Sequence, residues 1–155
     1  MLKERVDIKK NKFKPVAVNE IRSELFTNEN PILQAIIDIA YFDKIEEVYC
    51  MFFRCSQKQL KIMEELQKRD RLPIVRLLLS DSIPYMVKST SNYLKDNANF
   101  KTSYINTHAK FSGIKTKKNH YFIHSSANTN SDGKIESLTI INSKHIYESH
   151  KAFVD

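Results

Sequence analysis

"EEVYCMFFRCSQKQLKIMEELQKRDRLPIVRLLLS", residues 46–80, decides the fold class. Residues 46–53 are β-prone and nearly continuous in apolar character, as expected of a strand covered on both faces. Ser56 and Gln59 then have the spacing of a capping box, in which each side chain bonds the other's backbone N–H. Leu60, Met63 and Leu66 line one side of the helix that follows, which runs to about residue 69. "PIVRLLLS" (73–80) reads as a second buried strand. Helices alternating with buried strands predict an α/β sandwich with a mixed β-sheet flanked by helices.

The flanking sequence extends this pattern. Asn30-Pro31 joins a capping side chain to a proline at the first helical position. Leu33, Ile36, Ile37 and Ala40 follow at helical spacing, so 31–41 is a helix with one buried face. A short helix is expected over 18–26. The first fourteen residues, MLKERVDIKKNKFK, carry six Lys/Arg against two acids, and residues 1–17 read as a basic N-terminal arm. Downstream, the pattern predicts a helix over 84–96 and strands from about 101, over 119–126 and over 134–142. Ile146, Tyr147, His150, Phe153 and Val154 recur at three- and four-residue spacing, marking a closing amphipathic helix with His150 packed in the core. No internal repeat or linker divides residues 1–155, which read as one domain.

Composition narrows the function classes. A net charge of +7 and a pI near 9.3 favour an anionic partner such as nucleic acid or a phosphorylated substrate. With only Gly113 and Gly133, the chain has neither a Walker-type loop nor a dinucleotide fingerprint. Cys50 and Cys55 have no second pair with which to form a zinc site, and read as buried thiols of a reducing, cytoplasmic protein. No apolar run has signal-peptide or membrane-spanning length.

The chemistry lies between residues 104 and 136. No carboxylate occurs between Asp96 and Asp132. Strand alternation would put Tyr104, Asn106, His108 and Lys110 on one face, and Phe122, His124, Ser126 and Asn128 on one face of a later strand. "SGIKTKKN" (112–119) supplies a glycine and polar residues for a hairpin between them. Folding there would gather an imidazole, an ammonium, a hydroxyl and an amide. Such a pocket suits a phosphate: a nucleophile, a fixed cation and neutral donors. Lys115, Lys117 and Lys118 are placed at the hairpin, either solvated or steering a phosphate backbone. His120 and His124 read as packing or pocket-lining residues, with no third ligand at metal spacing.

"HAK" (108–110), "SSANTN" (125–130) and "KIESL" (134–138) together resemble the H-x-K…G-S-x-N signature of the phospholipase D superfamily, closest to its short single-motif members, nucleases among them. The resemblance implies a phospholipase D-like sandwich and a metal-independent phosphodiesterase that needs no cofactor. It implies that His108 attacks phosphorus and forms a phosphohistidine. Lys110 and Asn128 would hold the phosphoryl oxygens, assisted by Ser126, while Glu136 orients the imidazole. A single motif further implies a homodimer in which a second His108 protonates the leaving group. The sequence departs from the pattern at Lys115, where the family usually has an acid, and at Ser125, where it has glycine; Ser125, like the three hairpin lysines, is a candidate substrate contact. His108 and Ser126 are also three residues further apart than usual. These departures leave a second expectation: a catalytically degenerate module on the same fold that binds DNA or RNA without cutting it. A membrane-docked lipid hydrolase is disfavoured, since no basic amphipathic stretch is present.

Overall fold

The computed structural model describes residues 15–26, 31–126 and 136–155. The first fourteen residues of the expected basic arm, the Asn30 cap, Asn128 and the Glu136 side chain lie outside that description. β2 (Ile45–Phe52), α2 (Gln57–Lys68) and β3 (Val75–Ser80) form the unit expected from residues 46–80. β2 and β3 pair in parallel. The capping box is formed: Gln59 N donates to Ser56 Oγ at 3.3 Å, and Ser56 N donates to Gln59 Oε1 at 2.9 Å.

β4 (Phe100–Ile105) continues the parallel set beside β3. On the other flank of β2, β5 (Phe111–Thr116), β6 (His120–Ser125), β7 (Glu136–Asn142) and β1 (Ile21–Phe26) follow antiparallel. The result is one seven-stranded mixed sheet in the order β1-β7-β6-β5-β2-β3-β4.

Alternation along β2 shows why both faces are buried. Val48, Cys50 and Phe52 join the larger core with Ile36, Ile39, Leu77 and Ile123, beneath α1 (Pro31–Phe42) and α2. Tyr49 and Met51 face the other way and pack with Leu78, Phe111, Phe122 and Tyr147 under α5 (Lys144–Lys151). Polar bonds fasten α5 as well. Tyr49 Oη donates to the Tyr147 carbonyl at 2.7 Å, and Glu47 accepts from Tyr147 Oη, from Arg76 (3.1 Å) and from Lys151 (3.0 Å). Burial pushes the Glu47 carboxyl up, but the bonds from Tyr147 and Lys151 and the charges of Lys151 and Arg76 outweigh it and hold the pKa below the ordinary value. Cys50 and Cys55 are free, buried thiols, and burial raises Cys50 to about 12.

Four expectations need correction. Residues 21–26 form β1 rather than helix, because pairing from Ile21↔Ile141 to Phe26↔Glu136 overrides a weak local preference. The expected 84–96 helix is split into α3 (Ile83–Met86) and α4 (Lys88–Leu94) at Val87, whose backbone leaves helical geometry at φ −134° and ψ 69°. Val87 packs against the core at that break. Phe153 lies beyond the end of α5 and is 76% exposed. Finally, "SGIKT" is strand rather than turn.

Gly113 gives the physical reason for the strand. Glycine is a turn signal in sequence, but here it sits in β5 opposite Tyr49. A Cβ at 113 would fall on Cζ, Cε1 and Oη of the Tyr49 ring, so the residue makes room for a core aromatic. The turn itself is confined to residues 117–119.

Candidate active site

The strand order forces a crossover. From the end of β4, at one edge of the sheet, the chain must pass the C-terminal ends of β3 and β2 to enter β5. Residues 106–110 make that passage. They are not strand, so the alternation expected for Tyr104, Asn106, His108 and Lys110 stops at Ile105. Local bonding explains the break: Thr107 Oγ1 accepts from Ala109 N at 3.0 Å and donates to Met51 Sδ at 3.3 Å. A threonine hydroxyl that captures backbone in this way competes with a strand ladder.

His108 is therefore exposed above the C-terminal end of β2. Its imidazole lies flat on Phe53, with ring centroids 4.3 Å apart and 13° between planes. Lys110 Nζ donates to the His108 carbonyl at 3.1 Å, which holds the ammonium on the same crossover. The C-terminal end of β6 arrives alongside, because Ser125 N donates to the Lys110 carbonyl at 3.0 Å. Ser126 follows directly; its Oγ is exposed and accepts from Ser137 N at 2.9 Å. Glu136 opens β7 at this same end of the sheet, opposite Phe26. His108, Lys110 and Ser126 thus share one edge, outside the carboxyl ends of the parallel strands, where open α/β sheets place their ligands.

Other expected residues lie elsewhere. Ser125 is 2% exposed, so it stitches β6 to the crossover and does not offer its hydroxyl to solvent. The turn bearing Lys117 and Lys118 is at the opposite end of β5 and β6, and at about 3.3 Å per residue it is roughly 20 Å from Lys110. Lys115 lies 3.7 Å from Glu46, where its charge is partnered within the chain.

The two other strand histidines are distinguished by position and charge. His120 pairs with Lys115 at the far end of the hairpin. Burial first, then the charges of Lys115 and Lys144, lower its pKa. His124 sits at the near end, opposite Phe111, and burial followed by the charges of Lys110 and His150 lowers it too. Both imidazoles favour the neutral form. His150 packs as expected, 3.9 Å from Phe122, with Nδ1 2.9 Å from the Ile146 carbonyl. Among the described residues no three of His, Cys, Asp and Glu gather where they could hold a metal ion.

The sequence pattern did not single out Phe53 and Arg54. Both follow β2 directly, and Arg54 Cζ lies 5.3 Å from the Phe53 ring centroid. An aromatic at a strand's end looks like more core, and only the crossover reveals its contact with His108.

No protein-family model matches the sequence, and no curated protein matches it. Solved structures do match in shape. NucT from Helicobacter pylori superposes with a TM-score of 0.64 at 16% identity, over 87% of this chain and 94% of that one. Polyphosphate kinase from Porphyromonas gingivalis gives 0.64 at 9% identity, over 88% of this chain but 23% of the kinase. TrmBL2, an archaeal chromatin protein, gives 0.48 at 10% identity, over 86% and 50%. The open mixed sheet with helices on both faces is thus the phospholipase D-like fold, which this chain has in common with NucT.

Proposed function

We propose that the chain is a homodimeric, metal-independent phosphodiesterase that cuts nucleic acid through a phosphohistidine on His108. The observation that carries the reading is the meeting of an exposed imidazole, an ammonium and a hydroxyl on one strand-end edge: His108, Lys110 and Ser126. Likeness in fold to a polyphosphate kinase is consistent with phosphoryl chemistry at such an edge. The net charge of +7 suits a polyanionic substrate.

In the first step a ring nitrogen of neutral His108 forms a bond to phosphorus. The bond from phosphorus to the leaving oxygen breaks, and that oxygen takes a proton from an acid. Water then attacks the phosphohistidine and gives a proton back to that acid, the P–N bond breaks, and both His108 and the acid are restored. Lys110 offsets the charge on the phosphoryl oxygens, with Ser126 and Asn128 as neutral donors and Glu136 as the partner that orients the imidazole. One imidazole cannot be nucleophile and acid at once. His120 is at the wrong end of the hairpin, and His124 favours its neutral form, so neither suits the acid's role. A second His108 across a twofold axis does.

The test is incubation of wild type and His108→Ala with single- and double-stranded DNA and RNA in EDTA. Cleavage by the wild type alone, unaffected by the chelator, is expected, since a histidine nucleophile needs no metal-generated hydroxide. Activity that requires added Mg²⁺ or Mn²⁺ would refute the mechanism. Tight binding with no cleavage would favour the second reading, a nucleic-acid-binding module; that reading draws on Lys115 being engaged with Glu46 where the family usually has an acid.

A further inference from the structure

Arg54 is the feature of this edge that the motif leaves unused. It occupies the short segment between the end of β2 and the capped start of α2. That segment is fixed on both sides. Ser56 is locked by its capping box, and Cys55 is 3% exposed with its carbonyl accepting from the buried Thr90 Oγ1 at 3.2 Å. The side chain is half-buried, and its Nε is shielded from water with no hydrogen-bond partner among the described residues. No acid of the described residues pairs with its guanidinium, which lies against the ring that carries His108. A shielded, unmet donor on a permanently charged group is costly in a folded protein. The shielded Nε is itself closed to a ligand, but the remainder of this half-buried, permanently charged group can be answered by an anion, and a planar guanidinium fits phosphate oxygens in particular.

We propose that Arg54 is a substrate-phosphate ligand of this site, completing with Lys110 a pair of cations around the ring stack of Phe53 and His108. The inference rests on the phosphodiesterase reading for its substrate, and it adds a residue that the H-x-K…S-x-N pattern does not contain. Rigid placement is what makes the assignment chemical. A lysine on a solvated surface finds many anions, whereas Arg54 is held by a strand end and a helix cap and faces one edge.

The test measures binding of a fluorescein-labelled single-stranded oligonucleotide to the full chain carrying His108→Ala, across a range of salt. Two variants in that background remove the charge: Arg54→Gln, and Arg54→Met, which keeps the apolar stem over Phe53. Arg54→Lys restores the charge without the fork. Either neutral variant should weaken binding about tenfold or more, and should flatten the log–log salt slope by about 0.7, one phosphate on a single strand. The lysine variant should recover the slope and only part of the affinity. A neutral variant with the parent's melting temperature, affinity and slope would overturn the proposal.

Kinetics with His108 intact then identify which phosphate is held. Loss on both an oligonucleotide and bis(p-nitrophenyl) phosphate, which has a single phosphorus, assigns Arg54 to the reacting group. Loss on the oligonucleotide alone assigns it to a neighbouring phosphate. A wild type that binds but cleaves neither substrate removes the catalytic reading, while the slope comparison still decides Arg54. No oligonucleotide binding by the parent would overturn both.

Discussion

Gly113→Ala tests the packing that brings the two halves of the site together. The added Cβ would lie far inside the normal 3.5–4.0 Å carbon contact with Cζ and Cε1 of Tyr49. That ring has little room to retreat. Tyr49 is fully buried, edge-on to Phe111 at 6.3 Å and tilted against Tyr147 at 5.3 Å, and its hydroxyl is bonded to the Tyr147 carbonyl. Overpacking of this kind costs about 1–3 kcal/mol. Shifting the ring also threatens the hydroxyl bond, worth about 0.5–1.5 kcal/mol. Alanine recovers roughly 0.4–1 kcal/mol through the unfolded chain. The expected net loss is about 2 kcal/mol, read as a urea midpoint shift at constant m-value and a melting temperature lower by about 4–8 °C. The cause is isolated by a double-mutant cycle with Tyr49→Leu, in whose background the alanine should cost nothing. A Gly113→Ala protein within about 0.5 kcal/mol of wild type, or an equal cost in both backgrounds, would refute the account.

Phe53→Leu removes the flat surface under His108; an aromatic pair contributes about 0.5–1.5 kcal/mol, so kcat should fall up to about tenfold with KM little changed, and Phe53→Tyr should restore it. Equal kcat for the leucine variant would make the stack incidental. Sedimentation should give a dimer at assay concentrations, and a mixture of His108→Ala with Lys110→Ala subunits should stay nearly inactive, because each mixed dimer has one His108. Full activity from a monomer would sink the twofold arrangement. Lys117→Gln with Lys118→Gln should flatten the salt slope only for oligonucleotides long enough to span β5, and an equal effect on the shortest cleavable substrate would bring the hairpin tip to the site.

What was legible in the sequence is what local physics settles. The Ser56–Gln59 box needs four consecutive residues, and β2 and β3 announce themselves because both faces of each are buried. Elements defined by distant partners were harder to read. β1 depends on β7, more than a hundred residues away, and Gly113 looks like a turn until Tyr49 is placed beside it. The site divides in the same way. His108, Lys110 and Ser126 belong to spacings visible in one line of text, whereas Phe53 meets His108, with Arg54 beside it, only because the chain crosses the ends of β3 and β2 before entering β5.

That crossover also gives physical sense to the acid-free run between Asp96 and Asp132. It begins ahead of β4, crosses the strand ends at His108 and returns to them at Ser126. A carboxylate on the crossover or at the end of β6 would stand beside Lys110, where it would neutralise the cation and repel a phosphodiester. On β2 and α5 acids are tolerated, because Glu47 is held by Tyr147, Arg76 and Lys151 on the covered face of the sheet. Along this run the charge pattern therefore follows topology: no carboxylate occurs on the crossover that carries Lys110 or at the end of β6, as the proposed binding of a phosphate there requires.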